Sequence, residues 1–210
     1  MSSLLKDAKS IAVVGNGPVS AASADEIDLA DLVIRFNYAA HCGCAGRRTD
    51  VLALNSTLKS PSLVARGKPI NRLALRNARE IWLRDDKRDV AGALAFGLPV
   101  VEIDPDTVAR TRDILVAHGA NGENLVTSLG ASTLRFILDR SDANIVLYGF
   151  THRGWTGHRW DAEKAWVDGL IAAGRIERRA PAPPYARHGI LRKIEIEAIR
   201  LYTHVRTFRF

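Results

Sequence analysis

Near-continuous apolar runs alternate with amphipathic stretches along this chain, and the alternation restricts the fold more than any other feature of the sequence. Six runs predict β-strands, at 11–14, 31–37, 50–55, 80–84, 99–103 and 144–150. Because few polar residues interrupt these runs, the strands are expected to be buried on both faces, as in a mostly parallel sheet.

Apolar residues recur at helical spacing in other parts of the chain. The pattern predicts helices at 107–118, 128–139, 161–173 and 190–206. Strands that alternate with helices indicate an α/β, Rossmann-like fold with helices flanking the sheet. Such sheets bind ligands beyond the carboxyl ends of their strands, so the loops after Val14, Ile34, Leu54 and Tyr148 are expected to carry the functional residues.

The chain length fits a single domain. All 210 residues are expected to form one unit, 1–210. The segment 175–190 is basic and rich in proline, and it is expected to form a lid or loop, because too little chain follows it to build a second domain.

The formal net charge of +7 favours an anionic partner, such as a nucleotide, an acidic glycan, a membrane surface or nucleic acid. Basic residues concentrate at 175–209, a distribution that a basic protein without a specific anionic partner also explains. Nucleic acid is disfavoured, because few aromatic residues lie among the basic ones. The apolar stripe of the C-terminal helix fits docking on the sheet as well as it fits peripheral contact with the inner membrane.

Compartment and assembly are only partly constrained. No run reaches the roughly 18–20 apolar residues of a membrane span, and the N-terminus lacks the pattern of a signal peptide. Cys42 and Cys44 lie too close together for an ordinary disulfide framework, which fits a reducing compartment. A cytoplasmic location is therefore expected, whereas the sequence does not specify the oligomeric state.

A glycine-rich turn follows the first predicted strand. Gly15 and Gly17 are typical of a phosphate-binding turn, or they serve only to make the turn. Ser20 stands where a dinucleotide fingerprint has glycine or alanine, and Asn37 ends the second strand where a nicotinamide site has an acidic residue. A nicotinamide enzyme is therefore disfavoured. The carboxamides of Asn16 and Asn37 can donate and accept hydrogen bonds to a nucleotide, although asparagine also suits turns.

These residues belong to a longer pattern. It reads Val-Val-Gly-Asn at 13–16, Ile-Asp at 27–28, Arg-Phe-Asn at 35–37 and Gly-Arg-Arg-Thr at 46–49. The pattern resembles the large sialylmotif of the sialyltransferases, glycosyltransferase family 29, over about forty residues and with its spacings kept.

A second match lies further along the chain. Ser128 is a natural N-cap for the predicted helix 128–139, whose first turn, including Gly130, offers free N–H groups to an anion. Capping without a ligand is the alternative. Together with Tyr-Gly-Phe at 148–150, this segment resembles the small sialylmotif, with Leu129 in place of its threonine.

Two histidines follow. His158 and Glu163 form a His-x4-Glu pattern that resembles the family's very small motif, and His152 resembles the histidine of its third motif, although Arg153-Gly154 replaces the aromatic residues expected next. The resemblance implies that His158 is the catalytic base and that His152 lies near the donor phosphate, which it would contact as a protonated ring or as a neutral donor. Glu163 is expected to orient His158.

The resemblance implies a GT-A-type variant of the Rossmann-like fold and a metal-independent, inverting transfer. The donor substrate would be a CMP-linked sialic acid or the related 3-deoxy-manno-octulosonic acid, and the acceptor a glycan or other saccharide, with no further cofactor. CMP contacts are expected from Gly15, Asn16, Asn37, Ser128 and Gly130. No metal site is expected, because His158 and Glu163 would not share one helix face and the two cysteines offer no second pair of ligands.

The chain also departs from the animal members of this family. It has no cysteine at the start of the first motif or in the second, where those enzymes carry a disulfide, and it therefore resembles short bacterial members. Leu129 and the altered third motif keep a second hypothesis open, an accessory or binding protein that retains the fold without the activity. Another nucleotide-binding α/β enzyme is a further alternative.

Overall fold

The protein is described here by a computed structural model that covers residues 2–55, 64–65, 68–84 and 97–182, with backbone alone at 64–65 and 68–69. Its strands are β1 Ser10–Val14, β2 Leu32–Phe36, β3 Val51–Asn55, β4 Val64–Ala65, β5 Lys68–Pro69, β6 Glu80–Arg84, β7 Val100–Ile103, β8 Asn144–Tyr148 and β9 Ile176–Arg178. Its helices are α1 Ser3–Asp7, α2 Ala24–Leu29, α3 Arg72–Asn77, α4 Pro105–Ala117, α5 Leu129–Leu138 and α6 Trp160–Ala172, with a short 3₁₀ turn at Ala21–Ser23 before α2.

Seven of the described strands form one sheet in the order β7-β6-β3-β2-β1-β8-β9, and every neighbouring pair is parallel. All six predicted strands are confirmed, as are the predicted helices that correspond to α4, α5 and α6. The chain runs outward from β1 through β2, β3, β6 and β7, and then crosses to the other side of β1 to form β8. The boundary between β1 and β8 is therefore the topological switch point of the sheet.

Alternate residues of the strands pack on opposite faces of the sheet. Ile11 and Val13 of β1 join a core formed with α4, α5 and α6, whereas Ala12 and Val14 pack with Val19 and with α2. Both faces of the sheet are thus covered, which explains why its strands have near-continuous apolar sequences. The result is a single-domain, Rossmann-like α/β fold.

One expectation was wrong for three residues. The segment 175–190 was predicted to be a lid or loop, but Ile176–Arg178 forms the edge strand β9, in register with Ile145–Leu147 of β8. Ile176 is buried against the core, and this burial stabilises the strand. The remainder of the predicted lid beyond residue 182, and the predicted helix 190–206, lie outside the described residues. Among the helices that the structure describes, none has the length and apolarity needed to cross a bilayer.

Candidate functional site

A cavity of about 410 Å³ opens at the carboxyl ends of β1 and β8, at the switch point of the sheet. The residues predicted from sequence to form the site come from four separate stretches of the chain, and all of them line this cavity: Gly15, Asn16, Asn37, Ser128, Gly130, His152, His158 and Glu163. The structure therefore brings the whole predicted set together.

The floor of the cavity is made of backbone. The turn after β1 interlocks with the turn after β8, since the Gly15 amide donates to the Tyr148 carbonyl at 2.7 Å and the Gly17 amide to the Gly149 carbonyl at 3.1 Å. A Cβ on Gly17 would lie 2.4 Å from the Gly149 oxygen. The amides of Gly15 and Gly17 are thus already bonded, so these glycines allow close approach of two turns and do not offer their N–H groups to a phosphate.

Asn16 holds the ends of β1 and β2 together. Its Nδ2 donates to the Phe36 carbonyl and its Oδ1 accepts from the Ala40 amide, both at 3.0 Å. One amide hydrogen and one lone pair remain for a ligand. Asn16 therefore braces the two strand ends, and its CMP contact stays a prediction.

Asn37 is better placed to bind a ligand through its side chain. It adopts φ +48°, a left-handed conformation that asparagine tolerates, and it is buried at the rim of β2. Its Oδ1 accepts from the Asn55 amide at 3.2 Å, whereas its amide nitrogen donates to none of the described residues. Asn37 therefore presents a fixed carboxamide with two N–H donors to the cavity.

The N-terminus of α5 carries a carboxylate from within the protein. The predicted N-cap is confirmed, because Ser128 Oγ accepts from the Ala131 amide at 3.0 Å. Glu163 of α6 accepts from both the amide and the hydroxyl of Ser128, at 2.9 and 2.7 Å. Of the amides at the start of α5, from Ser128 to Ala131, those of Ser128 and Ala131 are therefore occupied, which leaves those of Leu129 and Gly130 for a ligand.

Burial controls the protonation of Glu163. The residue is 3% exposed, and burial raises the pKa of its carboxyl, while the two hydrogen bonds from Ser128 and the positive charge of Arg84 act in the opposite direction. The carboxyl also joins α6 to the first turn of α5, so the geometry of this side of the cavity depends on it.

His158 is positioned by backbone and aromatic contacts. Its Nδ1 lies 2.9 Å from the Val126 carbonyl, which can only accept, so Nδ1 carries a proton and, in the neutral ring, Nε2 is the nitrogen with the lone pair. The rings of Trp155 and Trp160 contact the imidazole edge-on, each with centroids 4.9 Å away. The expected orienting role of Glu163 is therefore corrected: Val126 and the two tryptophans orient His158, and Glu163 binds Ser128.

His152 lies just beyond β8, also on the lining of the cavity, with φ +48°. Burial, reinforced by the nearby positive charge of Arg178, lowers the pKa of its imidazole to about 4. Of the two forms expected from sequence, protonated or neutral donor, the structure therefore favours the neutral ring at pH 7.

The loop between His152 and His158 separates the first cavity from a second one of about 810 Å³. The cavities share His152, Arg153, Gly154, His158 and Trp160. The Trp155 side chain between these cavities is 51% exposed. Gly157 allows this position, because a Cβ there would lie 2.3 Å from the Trp155 ring.

Several residues of the first motif serve the fold instead of the site. Arg35 is buried and donates to the carbonyls of Ala45, Gly46 and Arg48, and Asp28 accepts from the amides of the same loop. Burial lowers the pKa of the Arg35 guanidinium. These contacts fix the loop between β2 and β3, so half of the motif holds the fold around the cavity.

The residues that position the two histidines were not predicted from the sequence. Trp155 and Trp160 flank His158 closely enough in sequence to have signalled an aromatic cluster, whereas nothing local pointed to Val126 or Arg178.

Cys42 and Cys44 are free thiols. Within the described part of the chain, no group of three or more His, Cys, Asp or Glu side chains could hold a metal ion.

Comparison with known proteins gives two kinds of relative. No family model matches the chain. Among solved structures it resembles a mammalian sialyltransferase, with a TM-score of 0.62 and 20% identity, covering 87% of this chain and 74% of that one. It also resembles the monofunctional α-2,3-sialyltransferase Cst-I from Campylobacter jejuni, with a TM-score of 0.55 and 13% identity, covering 87% and 79%.

A third structure, the sialyltransferase CST-II in complex with CMP, gives a TM-score of 0.51 at 14% identity, covering 86% of this chain and 84% of that one. At these identities the likeness establishes a sialyltransferase-like fold. In sequence, the chain is 32% identical over 206 residues to the urease operon 23 kDa accessory protein of Rhizobium meliloti (strain 1021), which covers 84% of this chain and 95% of that protein. The chain therefore belongs to the family of that accessory protein.

Proposed function

We propose that the protein is a metal-independent, inverting glycosyltransferase that moves a sialic acid or related ulosonic acid from a CMP-sugar to a saccharide acceptor. One observation carries the proposal: the cavity at the switch point combines an imidazole lone pair, on His158, with hydrogen-bond donors suited to a phosphate. The sialyltransferase-like fold supports it, since one structure of that fold is a complex with CMP.

The donor would bind on the β1–β2 side of the cavity. The two N–H groups of Asn37 suit the oxygens of a nucleotide, and the free amides of Leu129 and Gly130 suit its phosphate. The neutral His152 can donate one further hydrogen bond. These donors carry little charge of their own, and the basic composition of the chain would attract the anionic substrate.

Transfer would proceed by direct displacement. The acceptor oxygen forms a bond to the anomeric carbon while the bond between that carbon and the phosphate oxygen breaks, and CMP leaves with the electron pair. The acceptor proton passes to Nε2 of His158, whose ring then becomes an imidazolium held by the Val126 carbonyl. The leaving phosphate gains negative charge, which the amides of Leu129 and Gly130 and the His152 donor stabilise.

The acceptor would enter through the second cavity. It adjoins the first at His158, so a hydroxyl placed there can meet the base, and the Trp160 ring, which lines both cavities, offers a surface on which a sugar can stack. An acceptor bound on this side would approach the anomeric centre from the face opposite CMP, as inversion requires.

A second candidate function is a non-catalytic accessory role in which the fold binds a partner or ligand. The relationship to a urease operon accessory protein favours it, as does Leu129 in place of the threonine of the sialyltransferase motif. On this view the cavity persists as a scaffold or as a nucleotide site without turnover.

The first test is calorimetric binding of CMP beside UMP, GMP and NAD. We expect selective CMP binding that Asn37→Ala weakens roughly tenfold or more, the cost of about one lost hydrogen-bonding group. Asn144→Ala is the matched control, because Asn144 is exposed at the amino end of β8, away from the cavity. Binding of NAD without CMP would select a different nucleotide enzyme, and binding of neither would favour the accessory role.

The second test concerns the base. With a CMP-sugar that the wild type turns over, His158→Ala is expected to lower transfer roughly 10²–10⁴-fold while CMP binds with unchanged affinity. If the variant loses CMP binding and shows no separate defect in the chemical step, the role of His158 as the base is wrong. If no CMP-sugar is turned over although CMP binds, the accessory function takes precedence.

A further inference from the structure

Arg178 lies at the carboxyl end of the edge strand β9, beside the end of β8 from which the loop carrying His152 departs. The register of the two strands pairs Leu147 with Arg178. The Arg178 side chain reaches His152, and Nη1 lies 3.5 Å from Nε2 of the imidazole, at the long end of the hydrogen-bond range. This pairing brings a cation to the wall shared by both cavities.

Helix α6 fixes the Arg178 side chain in this position. Its Nη2 donates to Asp168 Oδ1 at 2.8 Å, and the other oxygen of Asp168 accepts from Lys164 one turn earlier on the same helix. Arg178 is thus held between α6 and His152. Among the residues that the structure describes, the groups that act electrostatically on the imidazole are Arg178 from β9, with Asp168 and Lys164 from α6.

A guanidinium can only donate hydrogen bonds, so the nitrogen that faces it must accept. Nε2 of His152 therefore holds the lone pair, and the single proton of the neutral ring lies on Nδ1. A second proton on Nε2 would point at a cation and would be repelled. The contact thus specifies both the tautomer and the charge of the ring.

We propose that Arg178 is a positioning residue that acts together with burial to keep His152 neutral and fixes its proton on Nδ1, so that His152 binds an anionic ligand as a hydrogen-bond donor and takes up no proton. The inference rests on the proposed function only for the identity of that anion. It also separates the two histidines of the cavity: the lone pair on Nε2 of His158 is suited to accept the acceptor proton, whereas Nε2 of His152 faces Arg178.

The decisive measurement is nitrogen–proton NMR of the imidazoles in the protein without ligand. The chain has six histidines, and the His152 signal is the one that His152→Gln removes. We expect the Nδ1–H tautomer, and no protonation until the pH approaches 4, in line with the lowered pKa of His152. In Arg178→Gln the pKa of His152 should rise by roughly one unit or more towards its ordinary value.

Matched variants separate this effect from a general loss of charge or fold. Arg175→Gln removes the same charge from the segment just before β9, where Arg175 lies 3.8 Å from an exposed Asp142, and it should leave the His152 signal unchanged. Arg178→Lys keeps the charge and should keep the ring neutral. An Nε2–H tautomer in the wild type, or an unchanged His152 titration in Arg178→Gln, would overturn the proposal.

The affinity for CMP, measured as a function of pH, tests the role of Arg178 independently. Above about pH 5 the wild-type affinity should not change through titration of His152, whereas in Arg178→Gln it should rise as the pH falls through the raised pKa of His152, because an imidazolium attracts the phosphate. Identical pH profiles for the two proteins would contradict the proposal. If CMP binds neither protein, the proposed function fails, and the NMR result still decides the role of Arg178.

Discussion

The two sides of the cavity differ in what lines them, backbone on one side and polar side chains on the other. The β1–β8 side is backbone: the Gly15–Gly17 turn and Gly149 approach so closely that a side chain on Gly17 or Gly149 would collide with a carbonyl oxygen. The α5–α6 side consists of buried polar side chains, chiefly Ser128, Glu163 and His158. The first side is thus sensitive to added volume, and the second to protonation and lost hydrogen bonds.

The largest expected effect is on the backbone side. In Gly17→Ala the new Cβ would lie 2.4 Å from the Gly149 oxygen and 2.7 Å from Thr151 Cγ2, and the turns must separate to admit it. We expect the free energy of unfolding to fall by roughly 3 kcal/mol, the upper end of the usual cost of overpacking, as measured by urea denaturation.

Gly169→Ala is the control for the same change in composition. Gly169 is exposed within α6 and has open space around it, so alanine should stabilise the protein by roughly 0.5–1 kcal/mol through helix propensity. A Gly17→Ala variant as stable as the wild type would show that the turns separate easily and that the contrast between the two sides is wrong.

The next effect tests the polar side. Glu163→Ala leaves the buried amide and hydroxyl of Ser128 without their acceptor, and we expect a loss of roughly 2 kcal/mol of unfolding free energy. Asp161→Asn, an exposed carboxylate in the first turn of α6, should change stability by less than about 1 kcal/mol. If Glu163→Ala and Asp161→Asn lose the same amount of unfolding free energy, Glu163 has no special role in stability.

Glu163 also gives the polar side a pH dependence that the glycine side lacks. Its pKa is raised above the ordinary 4.5 by burial, so the folded protein holds this proton more tightly than the unfolded chain. The stability that Glu163 contributes by binding this proton is fully present below pH 4.5, and it is lost as the pH rises through the pKa of Glu163 in the folded protein. The difference in unfolding free energy between the wild type and Glu163→Gln should therefore fall as the pH rises above about 4. A difference that grows with pH would contradict the raised pKa of Glu163.

Sequence reasoning succeeded where the signal is periodic or follows from topology. Six strands were predicted from near-continuous apolar runs, and α4, α5 and α6 from apolar residues at helical spacing, because both patterns report burial directly. Gly15, Asn37 and His152 meet because parallel strands end at the same edge of a sheet, which places distant segments side by side. The convergence of the site was thus predictable from the order of elements.

What could not be predicted depends on contacts between residues far apart in the chain. His158 bonds to Val126 and Glu163 to Ser128, more than thirty residues away in each case, and no local pattern distinguishes these partners from others nearby. β9 was missed because only Ile176 of its three residues is buried, so its identity as a strand comes from pairing with β8. Arg178 was missed for the same reason.

The smallest expected effect separates Arg178 from its neighbour. Arg179 donates to Glu26 at 2.9 Å and to Glu177 at 2.6 Å, and it ties β9 to α2 on the outside of the molecule. Its side chain is 40% exposed, so solvent screens these pairs. Arg179→Gln should cost less than about 1 kcal/mol, and less still at high salt.

The same variant sharpens the contrast between the inner and outer faces of β9. If the neutral state of His152 arose from the overall positive charge of this edge, Arg179→Gln would raise the pKa of His152 as Arg178→Gln does. Direct contact with Arg178 predicts an unchanged His152 titration in Arg179→Gln. Since the two substitutions remove the same charge from adjacent residues, a difference between their imidazole spectra can come only from where each side chain lies.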